Sequence, residues 1–132
     1  MVNYVDLIKK HEGFRQYPYK CTAGKLTIGY GRNLDDVGIS KEEADYLLDM
    51  DLDKHTEELD KVITWAVPKD VYAVLVDMHY NLGHERFMQF RKMIECLKKL
   101  DFKGAAKEML ESKWAKQVPN RAAELANIME KA

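Results

Sequence analysis

The sequence is short of almost everything that would tie it to a membrane, an oxidising compartment or a polyanion. No apolar run approaches the roughly 18 to 20 residues that span a bilayer, and no charged-then-apolar leader opens the chain, so no membrane anchor is expected. Two cysteines among 132 residues, Cys21 and Cys96, stand too far apart to suggest a disulfide framework. Free thiols in a soluble protein made in a reducing compartment are the expectation. Lys and Arg number 21 against 22 Asp and Glu, a formal charge of −1, so there is no global positive field to draw the chain to nucleic acid. Internal repeats, linkers and low-complexity segments are also missing. What is left has the length of one domain, large enough that folding buries roughly two-thirds of the unfolded chain's surface.

What is present concentrates between His11 and Arg32. Asn3 is a good N-cap for a first helix, with Asp6 three residues on, and Gly13 supplies its left-handed stop. Val5, Ile8 and Glu12 fall at i, i+3 and i+7, which predicts that the acid shares a buried face with two apolar residues. A carboxylate in a last turn meets the negative end of the helix dipole and, on a buried face, loses water; both effects favour its protonated form. That is how a general acid is made, although a glutamate at the edge of the stripe reaching solvent is the plainer alternative. Tyr17, Tyr19 and Cys21 then alternate to one side, as do Leu26, Ile28 and Tyr30, with Thr22 to Lys25 as the turn, predicting a two-stranded hairpin. Gly29 and Gly31 resemble the start of a phosphate loop, but Leu34 replaces the third glycine and no Gly-Lys-Ser/Thr follows.

Ser40 with Glu43 three residues later is a full capping box, opening a helix whose apolar positions run from Ala44 through Leu59 towards Trp65. Asp49, Asp51 and Asp53 mimic a calcium loop, yet Lys54 occupies the position that needs glycine and Asp60 the one that needs glutamate, so the site is rejected. Pro68 opens a helix striped with Val71, Val74, Leu75, Met78 and Leu82 and stopped by Gly83. Phe90 to Leu100, Asp101 to about Trp114, and Pro119 onward predict three more. His55 and His84 lack a ligand partner at i+4 and read as surface residues, so no metal is expected. Arg121 sits in the first turn of the last helix, where a cation meets the positive end of the dipole. One ion pair between Glu12 and Arg121 would resolve both misplacements.

Glu12-Gly13, Cys21 nine residues on, and Thr27-Ile-Gly-Tyr-Gly31 together resemble the T4-type phage lysozyme (endolysin, muramidase) family, whose active site runs Glu, eight residues, Asp or Cys, five residues, Thr. Ser112 to Ala122 resembles the family motif late in its helical lobe, and Asp77 to Gly83 the helix that walls its cleft. The resemblance implies an α+β, lysozyme-like fold: a small-sheet N-terminal lobe, about 13–58, joined by a long helix to an all-helical C-terminal lobe, about 66–132 plus helix 3–12. It implies hydrolysis of the β-1,4 bond between N-acetylmuramic acid and N-acetylglucosamine in bacterial peptidoglycan. Glu12 is then the proton donor, Cys21 stands in the second catalytic position, Thr27 positions water, and Arg121 pairs with the catalytic glutamate. Arg32 stands where the T4-type enzyme has a histidine and, with Tyr80 and Asn81, is expected to touch sugar. The partners implied are peptidoglycan glycan strands, bound by a monomer without cofactor or nucleic acid. Such an enzyme is made in the host bacterial cytoplasm and reaches the wall after membrane permeabilisation. The departure is Cys21, because a neutral thiol cannot stabilise positive charge on a sugar as a carboxylate does; it acts as thiolate base or nucleophile, or is a bystander. Two rival readings stay open, a catalytically weak wall-binding module and a Cys-dependent wall peptidase with His11 or His79 as base.

Overall fold

The structure, a computed structural model, describes residues 1–132 and divides into two compact units, Met1–Leu47 and Leu48–Ala132. The class is α+β, as expected. In the first unit α1 (Tyr4–Glu12) is capped by Asn3, whose Oδ1 accepts from the Val5 and Asp6 amides at 2.8 and 3.4 Å. Gly13, at φ +71°, ends it. The three strands β1 (Arg15–Lys20), β2 (Leu26–Gly29) and β3 (Arg32–Asn33) form an antiparallel sheet in that order. Pro18 is tolerated because β1 is an edge strand, and the pairing slips between Arg15↔Gly29 and Tyr19↔Thr27. The expectation of a two-stranded hairpin is thus corrected to three strands, the third pairing Thr27↔Asn33 and Ile28↔Arg32.

Between β3 and α2 (Lys41–Val62) the chain is clamped by polar contacts instead of a core. Arg32 lays both terminal nitrogens on the Glu43 carboxylate, at 2.9 and 2.6 Å, and donates to the Gly38 carbonyl at 3.1 Å. Glu43 also closes the capping box: its Oε1 accepts from the Ser40 amide at 2.9 Å, and its own amide donates to Ser40 Oγ at 3.1 Å. The Arg32 hydrogen bonds, then the Ser40 amide, outweigh a small desolvation and pull the Glu43 carboxyl from 4.5 to about 2. Because the folded value lies below the unfolded one, this contribution is present above about pH 4.5 and is lost as pH falls towards 2. In an NMR titration the Glu43 carboxyl should turn over near pH 2 in the native protein, and at higher pH in Arg32→Ala, where only the Ser40 contacts still favour the ionised acid. An unchanged midpoint in that variant would mean the clamp does not form.

The second unit has the apolar core. α3 (Lys69–Leu82) buries Val71, Val74, Leu75, Met78 and Leu82, the predicted stripe. It is joined there by Leu59 of α2, Phe87 of α4 (His84–Met88), and Met93 and Leu97 of α5 (Arg91–Lys98). α6 (Phe102–Leu110) adds Ala105 and Met109, α7 (Lys113–Gln117) adds Trp114, and α8 (Pro119–Glu130) adds Ala122, Leu125 and Met129. Each large side chain among these contributes about 1.5 to 3 kcal/mol by leaving water. Asp101 caps α6, accepting from the Gly104 amide at 2.9 Å, and Ser112 caps α7, accepting from the Ala115 amide at 3.2 Å. The helix expected to run from Asp101 to about Trp114 is therefore two, broken at Glu111 and Ser112, and α4 is an addition to the predicted set.

Candidate active site

Glu12 is the last residue of α1, and the turn through Gly13 brings its carboxyl against Gly31, between β2 and β3. The approach is so close that a Cβ built on Gly31 would collide with Glu12 Oε2 and stand 3.0 Å from Cδ. Only glycine suits the position twice over, since its φ is +81°. The expected burial of this face is corrected: no residue of α1 is buried, Val5 and Ile8 are 45% and 52% exposed, and Glu12 is exposed with them. The spacing placed three side chains on one face, but the first unit supplies no core to cover it. What locates Glu12 is instead its fit to the glycine of the sheet turn.

Cys21 and Thr27 meet at the other end of the β1–β2 hairpin. The Gly24 amide donates to the Cys21 carbonyl at 2.8 Å and the Cys21 amide to the Lys25 carbonyl at 2.9 Å, closing the turn. Thr27 is the one buried residue of the first unit, 3% exposed, and its hydroxyl donates to the Lys25 carbonyl at 2.9 Å. Cys21 is half-buried and unbonded to the other cysteine. Backbone hydrogen bonds at Lys25 and then Ala23 outweigh the opposing desolvation, and with the side chain of Thr27 they pull the thiol below its ordinary range. This thiol therefore forms a thiolate more readily than a free cysteine does. Cys96, on α5, is pushed the other way by burial.

The remaining predicted residues have structural partners of their own. Arg32 is engaged by Glu43 and Gly38, as described above. Arg121 donates from Nε to Asp77 Oδ1 at 2.7 Å, so the cation at the start of α8 finds its carboxylate on α3. Asp77 was visible in the sequence only as part of a motif, and nothing in its spacing pointed to this pair. The two line a pocket of about 390 Å³ with Val74 and Leu125. Asn81 accepts from Trp114 Nε1 at 2.7 Å, which ties α3 to α7. Tyr80 is 43% exposed, with its ring 5.2 Å from that of His55. A groove of about 860 Å³ in the second unit lies elsewhere, between Arg86, Phe90, Lys92, Glu108, Trp114 and Gln117.

The histidines are a correction. His55 and His84, expected at the surface and apart, are half-buried and both reach His79, which is fully buried. His55 Nδ1 lies 2.7 Å from His79 Nδ1, and His79 Nε2 lies 2.9 Å from His84 Nδ1. Burial first, then the neighbouring rings of His55 and His84, push the His79 pKa down. Both of its nitrogens are thus engaged, which leaves the peptidase reading without a free base at His79. Sequence spacing could not reveal the cluster, because its members stand 24 and 5 residues apart.

The sequence profile of the family described as phage lysozyme matches residues 9–129. The chain belongs to that family. It is accordingly a glycoside hydrolase of the lysozyme type, from a family that hydrolyses peptidoglycan. An endolysin of Acyrthosiphon pisum secondary endosymbiont phage 1 is 32% identical over 118 residues, covering 86% of this chain and 78% of the relative. An endolysin of Bacillus phage B103 is 34% identical over 118 residues, covering 85% of this chain but 44% of the relative. A probable T4-type lysozyme 1 of Dictyostelium discoideum is 24% identical over 156 residues, covering 95% of this chain and 92% of the relative. No helix of this lysozyme is long and apolar enough to cross a membrane.

Proposed function

We propose that this lysozyme acts as an endolysin, cutting the β-1,4 bond between N-acetylmuramic acid and N-acetylglucosamine, with Glu12 as general acid. The supporting observation is the carboxyl of Glu12 seated against Gly31, in the turn between β2 and β3 of the sheet whose β1–β2 hairpin holds Cys21 and Thr27. In the reaction the anomeric C–O bond breaks, the Glu12 proton passes to the leaving oxygen, and water adds to the sugar carbon. Thr27 holds that water, and the Cys21 thiolate takes its proton. Tyr80 offers an exposed aromatic face for sugar stacking. Arg32 acts on substrate through the loop it clamps. The enzyme is made in the host cytoplasm and meets glycan strands once the membrane is open.

Product chemistry tests the bond. Digested wall should gain reducing sugar ends and no new amines; amines without reducing ends would replace this reading with the peptidase, and neither product with the binding module. Cys21 is tested by two substitutions. Cys21→Ser should lower the turnover rate about a hundredfold or more, because a hydroxyl cannot serve as an ionised base near neutral pH. Cys21→Asp should keep activity, with the rising limb of its pH–rate profile moved from below the ordinary thiol range to the carboxylate range. Full activity in Cys21→Ser would make the sulfur a bystander.

A further inference from the structure

The histidine cluster lies wholly within Leu48–Ala132 and has no part in the proposed reaction. His55 and Glu58 stand at i and i+3 on α2, one turn apart on the same face, and His79 comes to them from α3. One donor atom from each of the three falls within 4.8 Å of the others. We propose that His55, Glu58 and His79 bind a borderline divalent transition metal, zinc foremost, as a two-imidazole, one-carboxylate site. The donor types decide the metal class: imidazole nitrogen with a single carboxylate suits zinc and its neighbours, whereas calcium and magnesium take oxygen.

The ring arrangement favours that occupant over a purely structural hydrogen bond. His79 is fully buried and packs against Phe87 with the rings tilted and their centroids 5.2 Å apart. Its Nε2 lies 2.9 Å from His84 Nδ1, so an Nε2 proton donated there leaves the Nδ1 lone pair directed at His55. His84 thus accepts the other ring proton of a ligating imidazole and fixes its tautomer, the task that a carboxylate, a carbonyl or a water more often performs. Glu58 Oε2 lies 3.8 Å from the same His84 nitrogen, so the carboxylate stands beside the rings. Without a cation, the two facing Nδ1 atoms of His55 and His79 must share one proton across 2.7 Å. A tetrahedral zinc, with nitrogens at 2.0–2.1 Å, sets them about 3.3 Å apart. That is a shift of about 0.6 Å for the half-buried ring of His55. Three protein ligands leave the fourth position to water.

Cobalt serves as the probe, because tetrahedral Co(II) absorbs strongly in the visible. Untagged full-length protein, stripped with chelator and titrated with Co(II), should develop those bands at one equivalent. Zinc should abolish them and raise the melting temperature. His55→Asn and Glu58→Gln should each weaken cobalt binding at least tenfold, with far-UV circular dichroism showing both variants folded. His84→Asn should keep the spectrum while losing about tenfold in affinity. No visible bands at millimolar cobalt, bands unchanged in either ligand variant, or sulfur charge-transfer bands alone would overturn the assignment. The first of these outcomes would leave the three rings as a hydrogen-bonded relay.

Discussion

Glu12→Gln should abolish clearing of permeabilised cells while the protein melts at its native temperature. Glutamine keeps the length, planarity and hydrogen-bonding oxygen of glutamate, so the contact with Gly31 survives. It has no proton to give. General acid catalysis contributes about a hundredfold to ten-thousandfold, and that whole factor should vanish from the turnover rate, with substrate affinity little changed. Stability should move by less than about 0.5 kcal/mol, because Glu12 is exposed and makes no ion pair within its unit. A second substrate separates acid catalysis from mere positioning. A muramyl glycoside with an activated aryl leaving group departs without protonation, so Glu12→Gln should cost far less on it than on wall. Equal loss on both substrates, or clearing at the native rate, would remove the acid from position 12.

How much of this was legible beforehand depended on whether the signal was local. Asn3, Ser40 with Glu43, and Asp101 all cap helices where the sequence placed them, because a cap needs only a side chain and an amide three residues away. The stripe of α3 was equally plain, since fourteen residues carry several helical periods. β3 has two residues and α4 and α7 five each, too few to show any period, and all three went unread. Periodicity also failed in a more instructive way at α1. Val5, Ile8 and Glu12 do share a face, but spacing reports which side chains stand together and not what covers them. The site divided along the same line. Glu12, Cys21 and Thr27 were singled out by the fixed spacing that carries the family resemblance, whereas Arg121 with Asp77, Arg32 with Glu43 and the three histidines are products of tertiary packing.

Gly31 gives the sharpest link from backbone to chemistry, and Gly31→Ala should separate the two. At φ +81° an alanine is strained, which costs about 1 kcal/mol of stability. Its methyl also occupies the place of Glu12 Oε2. The obstacle is the far end of an exposed, flexible side chain, so the fold escapes cheaply by swinging the carboxyl away. Catalysis does not escape, because a misplacement of about 1 Å can cost a hundredfold in rate. Gly38→Ala is the matched control: its φ is +63°, and the nearest atom to an added Cβ is the Leu34 carbonyl oxygen at 4.0 Å. Both variants should therefore lose similar stability in urea melts, while Gly31→Ala alone loses about a hundredfold in lysis. The double variant Glu12→Gln with Gly31→Ala closes the cycle. With the acid already gone the added methyl displaces only an amide that gives no proton, so it should lower activity no further; two losses that multiply would mean Gly31 acts on catalysis by some route other than Glu12.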